Sequence, residues 1–423
     1  MKTVILDDDP TGTQSAAGVP VLLATSVELL REALAEHDSV YVLTNSRAIG
    51  EAEAVELVIR IRRESEAAAA LLGETLQFVL RGDSTLRGHV FAETEAFLTP
   101  DAVMVFVPAF PDGGRTTVGG VHYVAVDGER IRADETEFAQ DPVFPFGTGV
   151  LVDYVAEKSG RRAYPLGLAE LRADPAALVE LLRSVPAGAV VVPDAETNDD
   201  VRSIAWAIEA ARGAGRTLVV RSAAPLAAAL AGVESDGLLP SPLVGTRPRT
   251  LLVCGSHTAG ATAQLGPVEE RFGTFSVIDT GRALLDPAGE GRRAAEAARP
   301  SISSRGLAVV TTDRMRSAEH NTLEHGEKVM AALTTSVREL MADVDVAVSK
   351  GGITSADVAR IGLGATSAVV LGQVLPGVSV WRLTVADGRS LLYVVVPGNV
   401  GGPTTLVDVL TALRFDEDAD RGA

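Results

Sequence analysis

The hydrophobic pattern of the chain alternates between two kinds of segment. Short runs of β-branched and aliphatic residues are followed by Ala- and Leu-rich stretches in which apolar residues recur at helical spacing. This alternation is typical of strand–helix units that build a mostly parallel sheet with helices on both faces. In the first half it predicts strands at residues 3–6, 39–44, 76–80, 102–108, 189–193 and 217–220, and helices at residues 51–72 and 199–215.

The alternation is interrupted between residues 232 and 250, where three prolines and several polar turn residues occur without periodicity. This composition predicts a linker at residues 233–249 between an N-terminal domain, 1–232, and a C-terminal domain, 250–415. The charged residues 416–423 lack apolar anchors, which predicts a disordered tail. Beyond the linker, strands are predicted at residues 250–256, 275–279, 307–312, 344–350, 378–384 and 391–397. The predicted fold class is α/β, with two domains that are each a mostly parallel sheet flanked by helices, and a cleft between them.

Composition and charge argue against several classes of protein. With 38 Lys and Arg against 56 Asp and Glu, the formal net charge is −18, which argues against nucleic acid or an anionic membrane as partner. The start of the chain lacks a signal-peptide pattern, and no run approaches the ~18 apolar residues of a membrane span. We therefore expect a cytoplasmic protein. The single cysteine, Cys254, and the tryptophans Trp206 and Trp381 lie in apolar stretches and are predicted to be core residues.

Polar loops rich in arginine follow the predicted strands of the first half. Ligands collect at the carboxyl ends of parallel strands, and guanidinium groups pair well with carboxylates and phosphates. We therefore predict a site for a small anion. The alternative is that each arginine pairs with a neighbouring aspartate, such as Asp83 or Asp112. The arginines concerned are Arg47, Arg81, Arg87 and Arg115.

Three consecutive aspartates, Asp7, Asp8 and Asp9, end the first predicted strand. Their mutual repulsion requires a cation, a donor-rich ligand or protonation. Candidate roles are a general base toward a substrate hydroxyl and a contact to Mg²⁺. The alternative is a solvated acidic turn that bends at Thr11 and Gly12.

The second half contains three strand-to-helix turns of similar composition, at residues 251–265, 347–360 and 393–410. Each passes through glycines and small hydroxyl residues, a composition that lets backbone N–H groups at a helix start approach anionic oxygens. Together they predict a site for nucleotide phosphates, although none fits a P-loop or a dinucleotide fingerprint. Lys350, which precedes the second turn, is either a phosphate contact or a solvated strand end.

Taken in order, these motifs resemble the four-carbon acid sugar kinase family, which contains 3-oxo-tetronate, D-threonate and D-erythronate kinases. In the first half, DDDPTG, RGDSTLRG, PAFPDGGRTT and TEFAQDPVFP are similar to the family's DDxTG, KxDSTLRG, PAFPxxGRTT and TxxxxDPxxP. In the second half, CGSHTAGATAQL, KGGITS and PGNVGGP are similar to its GSxxxxTxxQ, GGETS and GNFGGP. The resemblance therefore spans nearly the whole chain.

The resemblance implies an N-terminal domain that binds the acid sugar and a C-terminal domain that binds ATP. With ATP and Mg²⁺ as cofactors, phosphate would pass to the terminal hydroxyl of a four-carbon sugar acid. The carboxylate of Asp8 or Asp9 would orient that hydroxyl. The metal ligands are not identified, and a homo-oligomer is left open. Implied substrate contacts are Asp8, Arg47, Arg81, Gly82, Asp83, Ser84 and Arg115. Implied ATP contacts are Ser256, Gly351, Gly352, Ile353, Thr354, Gly398, Asn399 and Gly401.

The chain departs from the family pattern at three points. Arg81 replaces the lysine of KxDST, Ile353 replaces the glutamate of GGETS, and the first motif gains an aspartate and Pro10. The first loop also fits the D-x-D-x-T pattern of haloacid-dehalogenase-type phosphatases, in which Asp7 would be the nucleophile and Asp9 the acid/base. A third hypothesis is a sensor that binds nucleotide or sugar acid without turnover.

Overall fold

A computed structural model of the chain divides into two compact units, Met1–Glu234 and Ser235–Ala423. The structure describes residues 1–415 apart from 127, 236, 274, 314–322 and 399. The tail predicted to be disordered, 416–423, lies outside the described residues. The domain boundaries predicted from the sequence remain a prediction, as does the cleft.

The first unit is built around a parallel sheet. Its sheet order is β2-β3-β1-β4-β11-β5-β10-β9, and a second, antiparallel sheet has the order β6-β7-β8. The strands are β1 (Lys2–Asp7), β2 (Pro20–Leu22), β3 (Ser39–Leu43), β4 (Leu76–Arg81), β5 (Val103–Val107), β6 (Arg115–Val118), β7 (Val121–Val126), β8 (Glu129–Arg132), β9 (Ala163–Leu166), β10 (Val190–Pro193) and β11 (Leu218–Ser222). The helices are α1 (Val27–Glu36), α2 (Glu51–Leu72), α3 (Val90–Glu95), α4 (Leu151–Ser159), α5 (Leu168–Ala173), α6 (Ala176–Ser184), α7 (Asn198–Gly213) and α8 (Ala224–Ala231).

The second unit has a mixed sheet in the order β13-β14-β12-β15-β18-β17-β16, in which the pairs from β13 to β18 are parallel and the last two pairs antiparallel. The strands are β12 (Thr250–Cys254), β13 (Ser276–Ile278), β14 (Leu307–Thr312), β15 (Val346–Lys350), β16 (Ser367–Leu375), β17 (Val378–Thr384) and β18 (Ser390–Val396). The helices are α9 (Ala259–Phe272), α10 (Thr280–Leu285), α11 (Pro287–Arg305), α12 (Leu323–Leu340), α13 (Gly352–Asp357) and α14 (Thr405–Ala412).

Each unit buries its own hydrophobic core. In the first, Val4, Val42 and Ile61 pack between the sheet and the helices; in the second, Leu252 and Val394 do so. The predicted fold class of two α/β units with mostly parallel sheets is confirmed. The strands β2, β6–β8, β9 and β16 were not predicted from the sequence. Bulges at Val370/Gly372 and Gln373/Leu375 interrupt the pairing of β16, and such irregularities weaken a strand's alternating pattern.

Of the three residues predicted to lie in the core, two are buried. Cys254 and Trp381 are fully buried, as predicted. Trp206 is 54% exposed on α7, so its assignment to the core is wrong. The indole lies on the outer side of an amphipathic helix whose inner side buries Ile204 and Ile208. Within the predicted linker, Leu243 packs against the core of the second unit, and its N–H donates to the carbonyl of Ala412.

Candidate functional site

The three aspartates lie where the first strand of the parallel sheet ends. Asp7 is the last residue of β1 and is in register with Arg81 at the end of the neighbouring strand β4. Asp9 then caps a short 3-10 helix, Pro10–Ser15, by accepting a hydrogen bond from the Thr11 N–H at 2.7 Å. All three side chains are at least 98% buried, so they do not form a solvated acidic turn.

Arginine side chains from two other loops compensate the charge of these carboxylates. Nη1 of Arg81 lies 3.0, 3.1 and 3.0 Å from carboxylate oxygens of Asp7, Asp8 and Asp9. Arg47 forms ion pairs with Asp9 and, through Nε at 3.4 Å, with Asp8. Charges buried this deeply are tolerated only when they are paired. The cations that the aspartates require are therefore supplied by the protein itself.

Asp7 is the least compensated of the three. One oxygen accepts from Arg81, whereas the other makes no hydrogen bond with a described residue. Burial raises the pKa of Asp7 to about 7, against the opposing effect of Arg81. The chain passes very close to this carboxylate, because a methyl group on Gly12 would lie 2.2 Å from its oxygens. Asp7 therefore titrates near neutral pH in a site with no room for a larger side chain at position 12.

The structure adds a buried ion pair that the sequence reasoning missed. Arg221, near the end of β11, forms an ion pair with Glu93 of α3, and its Nη2 lies 3.7 Å from Asp8. A methyl group on Gly82 would lie 2.5 Å from this guanidinium. The predicted strand stopped at residue 220, one position before Arg221. A charged residue continuing an apolar strand is the signal that would have identified it.

Asp7, Asp8, Asp9 and Asp83, with the arginines paired to them, form an aspartate–arginine cluster. Its accessible side consists of Arg47, Asp83 and Arg87. Their side chains are 11%, 6% and 17% exposed, whereas those of Asp8 and Arg81 are 1% and 2% exposed. Although burial favours the neutral form of Asp83, Arg87 and Arg47 hold the pKa of its carboxyl well below the ordinary value. A ligand that enters from solvent would meet these three residues first.

Arg47, Arg81 and Arg87 each pair with aspartates, as the pairing alternative expects, and the anion site at these arginines stays a prediction. Arg87 donates to Asp83 through Nε at 2.8 Å. Asp112, the other proposed partner, instead accepts hydrogen bonds from Asn198 at 3.0 Å. Arg115 is 4% exposed, donates to the carbonyl of Gly113, and has its pKa lowered to about 10 by burial.

Ser84 is held in place through its backbone carbonyl. The carbonyl of Ser84 accepts from Nε2 of His122 at 2.8 Å, and Nδ1 of that ring lies 3.0 Å from the Thr117 hydroxyl. Since a carbonyl only accepts, Nε2 carries the proton. Burial lowers the pKa of His122 to about 4, so the ring is neutral at physiological pH. His122 thus holds the loop that contains Asp83 and Ser84.

Several buried polar atoms of this cluster make no hydrogen bond with a described residue. They include Oδ2 of Asp8 and both Nε and Nη2 of Arg221. Buried polar atoms are nearly always hydrogen-bonded in folded proteins. The cluster therefore has unused donors and acceptors for a polar ligand or for ordered water.

In the second unit, the three predicted turns meet at the carboxyl ends of β12, β15 and β18, which are neighbours in the sheet. A methyl group on Gly351 would lie 2.9 Å from Cβ of Ser256, and one on Gly398 would lie 2.8 Å from the Ser256 hydroxyl. The Thr258 hydroxyl donates to the carbonyl of Gly398 at 2.8 Å. Gly351 has a positive φ of 114°, which a larger residue rarely adopts. The backbone of all three turns is thus brought to one point.

The other predicted nucleotide residues lie around this point. A methyl group on Gly255 would lie 2.5 Å from the Thr354 hydroxyl, whereas the side chain of Ile353 is 36% exposed. Gly352 is the first residue of α13, and Gly401 has a positive φ of 88°. Asn399 lies outside the described residues.

Lys350 is not a solvated strand end. Its side chain is fully buried, and Nζ donates to the carbonyls of Pro397 at 2.6 Å and Val400 at 3.3 Å. Burial lowers the pKa of this amine to about 7. The expectation of a solvated strand end is therefore wrong, because the amine is directed under the turn that follows β18. The phosphate contact stays a prediction.

Among the described residues, no group of three or more His, Cys, Asp or Glu side chains is arranged so that it could hold a metal ion. In the same part of the chain, no helix combines the length and the apolar character that a bilayer span requires.

Comparison with known proteins gives two family matches that together cover most of the chain. A model described as a sugar-binding N-terminal domain matches residues 3–230, more than half of the chain. A model described as a nucleotide-binding C-terminal domain matches residues 251–406. The aspartate–arginine cluster falls within the first match and the three glycine turns fall within the second.

Individual relatives agree with these matches. The chain is 35% identical to the D-erythronate kinase of Heliobacterium modesticaldum over 299 residues, which are 67% of this chain and 64% of that protein. It is 28% identical to the D-threonate kinase of Bordetella bronchiseptica over 426 residues, 97% of each chain. A crystal structure of a Haemophilus influenzae protein shares the fold with a TM-score of 0.60 at 18% identity, covering 96% of this chain and 99% of that one. Through both domain matches and these relatives, the chain belongs to the four-carbon acid sugar kinase family.

Proposed function

We propose that the protein is an ATP-dependent kinase that phosphorylates the terminal hydroxyl of a four-carbon sugar acid. The observation that carries the proposal is the convergence of three glycine turns at neighbouring strand ends, within the region matched by a nucleotide-binding domain. Such turns let backbone N–H groups approach phosphate oxygens. The names of the relatives, D-erythronate kinase and D-threonate kinase, support the reaction class. The haloacid-dehalogenase alternative is not favoured.

The sugar acid is assigned to the aspartate–arginine cluster of the first unit. The guanidinium groups of Arg47 and Arg87 are its most exposed cations and are the proposed partners of the substrate carboxylate. Arg81 and Arg221 are nearly fully buried. Their proposed role is to hold the carboxylates that accept the substrate hydroxyls.

Between the two catalytic candidates, the hydrogen bonds favour Asp8. The oxygens of Asp9 are used by Thr11, Arg81 and Arg47. Oδ2 of Asp8 makes no hydrogen bond with a described residue and is held only by the longer ion pairs to Arg47 at 3.4 Å and Arg221 at 3.7 Å. We therefore assign to Asp8 the orientation of the attacking hydroxyl and the acceptance of its proton as the bond from the hydroxyl oxygen to the γ-phosphorus forms and the bond from that phosphorus to the bridging oxygen of ATP breaks, releasing ADP.

The residues of the second unit fit ATP through its phosphates. The Ser256 and Thr258 hydroxyls and the backbone of Gly351 and Gly398 lie within contact distance of one another. Mg²⁺ would neutralise the charge that develops during phosphoryl transfer. It is commonly bound by substrate phosphates together with one or two carboxylates, so a dedicated cluster of protein ligands is not required.

The test is ATP consumption by the purified protein with Mg²⁺ and a panel of threonate, erythronate and their 3-oxo forms. Matched sugars without the carboxylate serve as controls. Turnover of one acid and not of its uncharged counterpart supports the proposal. If ATP binds and no acid of the panel turns over, the sensor hypothesis gains support, whereas absence of ATP binding refutes the kinase.

An Asp8→Asn variant tests whether Asp8 is the general base. We expect kcat to fall by about 10²-fold or more, in the range typical of lost general-base assistance, with ATP affinity unchanged. The matched control is Asp153→Asn on the exposed surface of α4. An Asp8→Asn enzyme with the wild-type kcat would exclude Asp8 as the base.

A further inference from the structure

The turn that follows β18 is held by side chains from the other two turns. Three of its carbonyls accept hydrogen bonds: Pro397 from Lys350, Gly398 from Thr258, and Val400 from both Lys350 and Gln264. Gln264 donates to Val400 through Nε2 at 3.0 Å and is 1% exposed. Side-chain donors from β15 and α9 therefore bind this turn along its length.

These contacts determine which way the peptide groups face. Across a trans peptide, the carbonyl of one residue and the N–H of the next point in opposite directions. With the carbonyls of Pro397 and Val400 bound to buried donors, the N–H groups of Gly398 and Gly401 face away from those donors. Neither N–H donates to a described residue. The turn thus presents amide hydrogens as an anion site does.

Resting on the proposed function, we infer that Lys350 and Gln264 are positioning residues of the nucleotide site: they bind the carbonyls of Pro397 and Val400 and so orient the amides of Gly398 and Gly401 toward phosphate oxygens. Neither side chain is assigned a contact with the nucleotide. Lys350 does not need its charge for this role, because a neutral amine keeps two N–H donors and has two carbonyls to bind.

Lys350 and Gln264 share the Val400 carbonyl as an acceptor, and this predicts how substitutions of the two residues combine. Lys350→Met leaves Val400 bound by Gln264, and Gln264→Leu leaves it bound by Lys350. Only the double variant removes both donors from that carbonyl. Side chains that share a partner show coupled effects rather than additive ones. The double variant is therefore expected to be impaired by more than the product of the two single effects.

The first arm of the test needs no nucleotide. Hydrogen–deuterium exchange of the peptide spanning residues 391–406 is compared in the full chain of wild type, the two single variants and the double variant. We expect faster exchange in each single variant and the fastest exchange in the double variant. Lys328→Met, at a partly exposed lysine of α12, is the matched control and should exchange like wild type. Equal exchange in all variants overturns the inference, whatever the protein's activity.

The second arm separates positioning from general loss of structure. We expect Lys350→Met to raise the KM and Kd for ATP about tenfold, because the Pro397 carbonyl loses its donor while Val400 keeps Gln264, with the KM for the sugar acid unchanged at saturating ATP. Lys350→Gln retains an N–H donor, so its KM and Kd for ATP should lie between those of Lys350→Met and wild type. If kcat falls while the ATP constants stay at wild-type values, the inference is wrong. Failure of wild type to bind ATP refutes the proposed function, and the exchange arm still decides the positioning role.

Discussion

Replacing Asp7 by asparagine is the most informative perturbation of the buried carboxylate cluster. The amide oxygen of the new side chain can accept from Arg81 as the aspartate oxygen does at 3.0 Å, and the shape of the side chain is retained. The substitution removes the ability to ionise and replaces the second carboxylate oxygen, which makes no hydrogen bond with a described residue, by an NH2 group of similar size. The difference between Asp7→Asn and wild type therefore isolates the effect of one buried charge.

The expected magnitude follows from the pKa of Asp7, which burial raises from 3.8 to about 7. One pKa unit corresponds to about 1.4 kcal/mol, so ionisation of Asp7 lowers the free energy of unfolding by roughly 4 kcal/mol at pH 8. Between pH 3.8 and 7 the folded state binds this proton and the unfolded state does not. The contribution of Asp7 to the free energy of unfolding therefore falls as the pH rises from 3.8 to 7.

We expect Asp7→Asn to be more stable than wild type at pH 8 by up to roughly 4 kcal/mol, with the gain shrinking as the pH falls toward 5. Urea denaturation at pH 8, 6.5 and 5 measures the difference. Trp206 lies in the first unit and Trp381 in the second, so Trp206→Phe identifies the transition of the first unit. Asp153→Asn, at an exposed position, should stay within about 0.5 kcal/mol of wild type at each pH.

A stability difference that does not change with pH would refute this reasoning. It would mean that Asp7 has the same protonation state in the folded and the unfolded chain, and that Arg81 compensates its burial fully. A loss of stability in Asp7→Asn that is greatest at pH 8 would refute it more strongly, because an ionised Asp7 would then stabilise the fold.

Other predictions concern packing and protonation in the first unit. Gly82→Ala should lose about 1–3 kcal/mol in urea denaturation, because its methyl group would lie 2.5 Å from the Arg221 guanidinium, whereas Gly213→Ala, with nothing within 4 Å, should lose none. Arg221→Met should lose about 3–5 kcal/mol by leaving Glu93 buried and unpaired, and adding Glu93→Leu should recover part of the loss; equal stability of the single and double variants contradicts this. NMR should find the His122 ring neutral at pH 5–8 with a midpoint near 4, and a midpoint near 6.5 would contradict its burial.

Local patterns in the sequence were enough to predict the helices and strands and the residue types that form the site. The periodicity of apolar residues predicted α2 with its observed ends, Glu51–Leu72, and predicted most strands of both sheets to within one or two residues. These signals are local, because they depend only on which side of a helix or strand is buried. The glycine turns of the second unit could be predicted for the same reason, since glycine and small hydroxyl residues after a strand have a local conformational meaning.

The partner of each charged group, by contrast, depends on how distant segments of the chain come together in the fold. Arg81 contacts aspartates more than seventy positions away because β1 and β4 are neighbours in the sheet, and Arg221 meets Glu93 across 128 positions. Whether Lys350 is directed to solvent or under a turn depends on the end of β18, again distant in sequence. Local patterns carry no information on such pairings. They are determined by strand order and register, which bring residues from separate loops within hydrogen-bonding distance at one edge of a sheet.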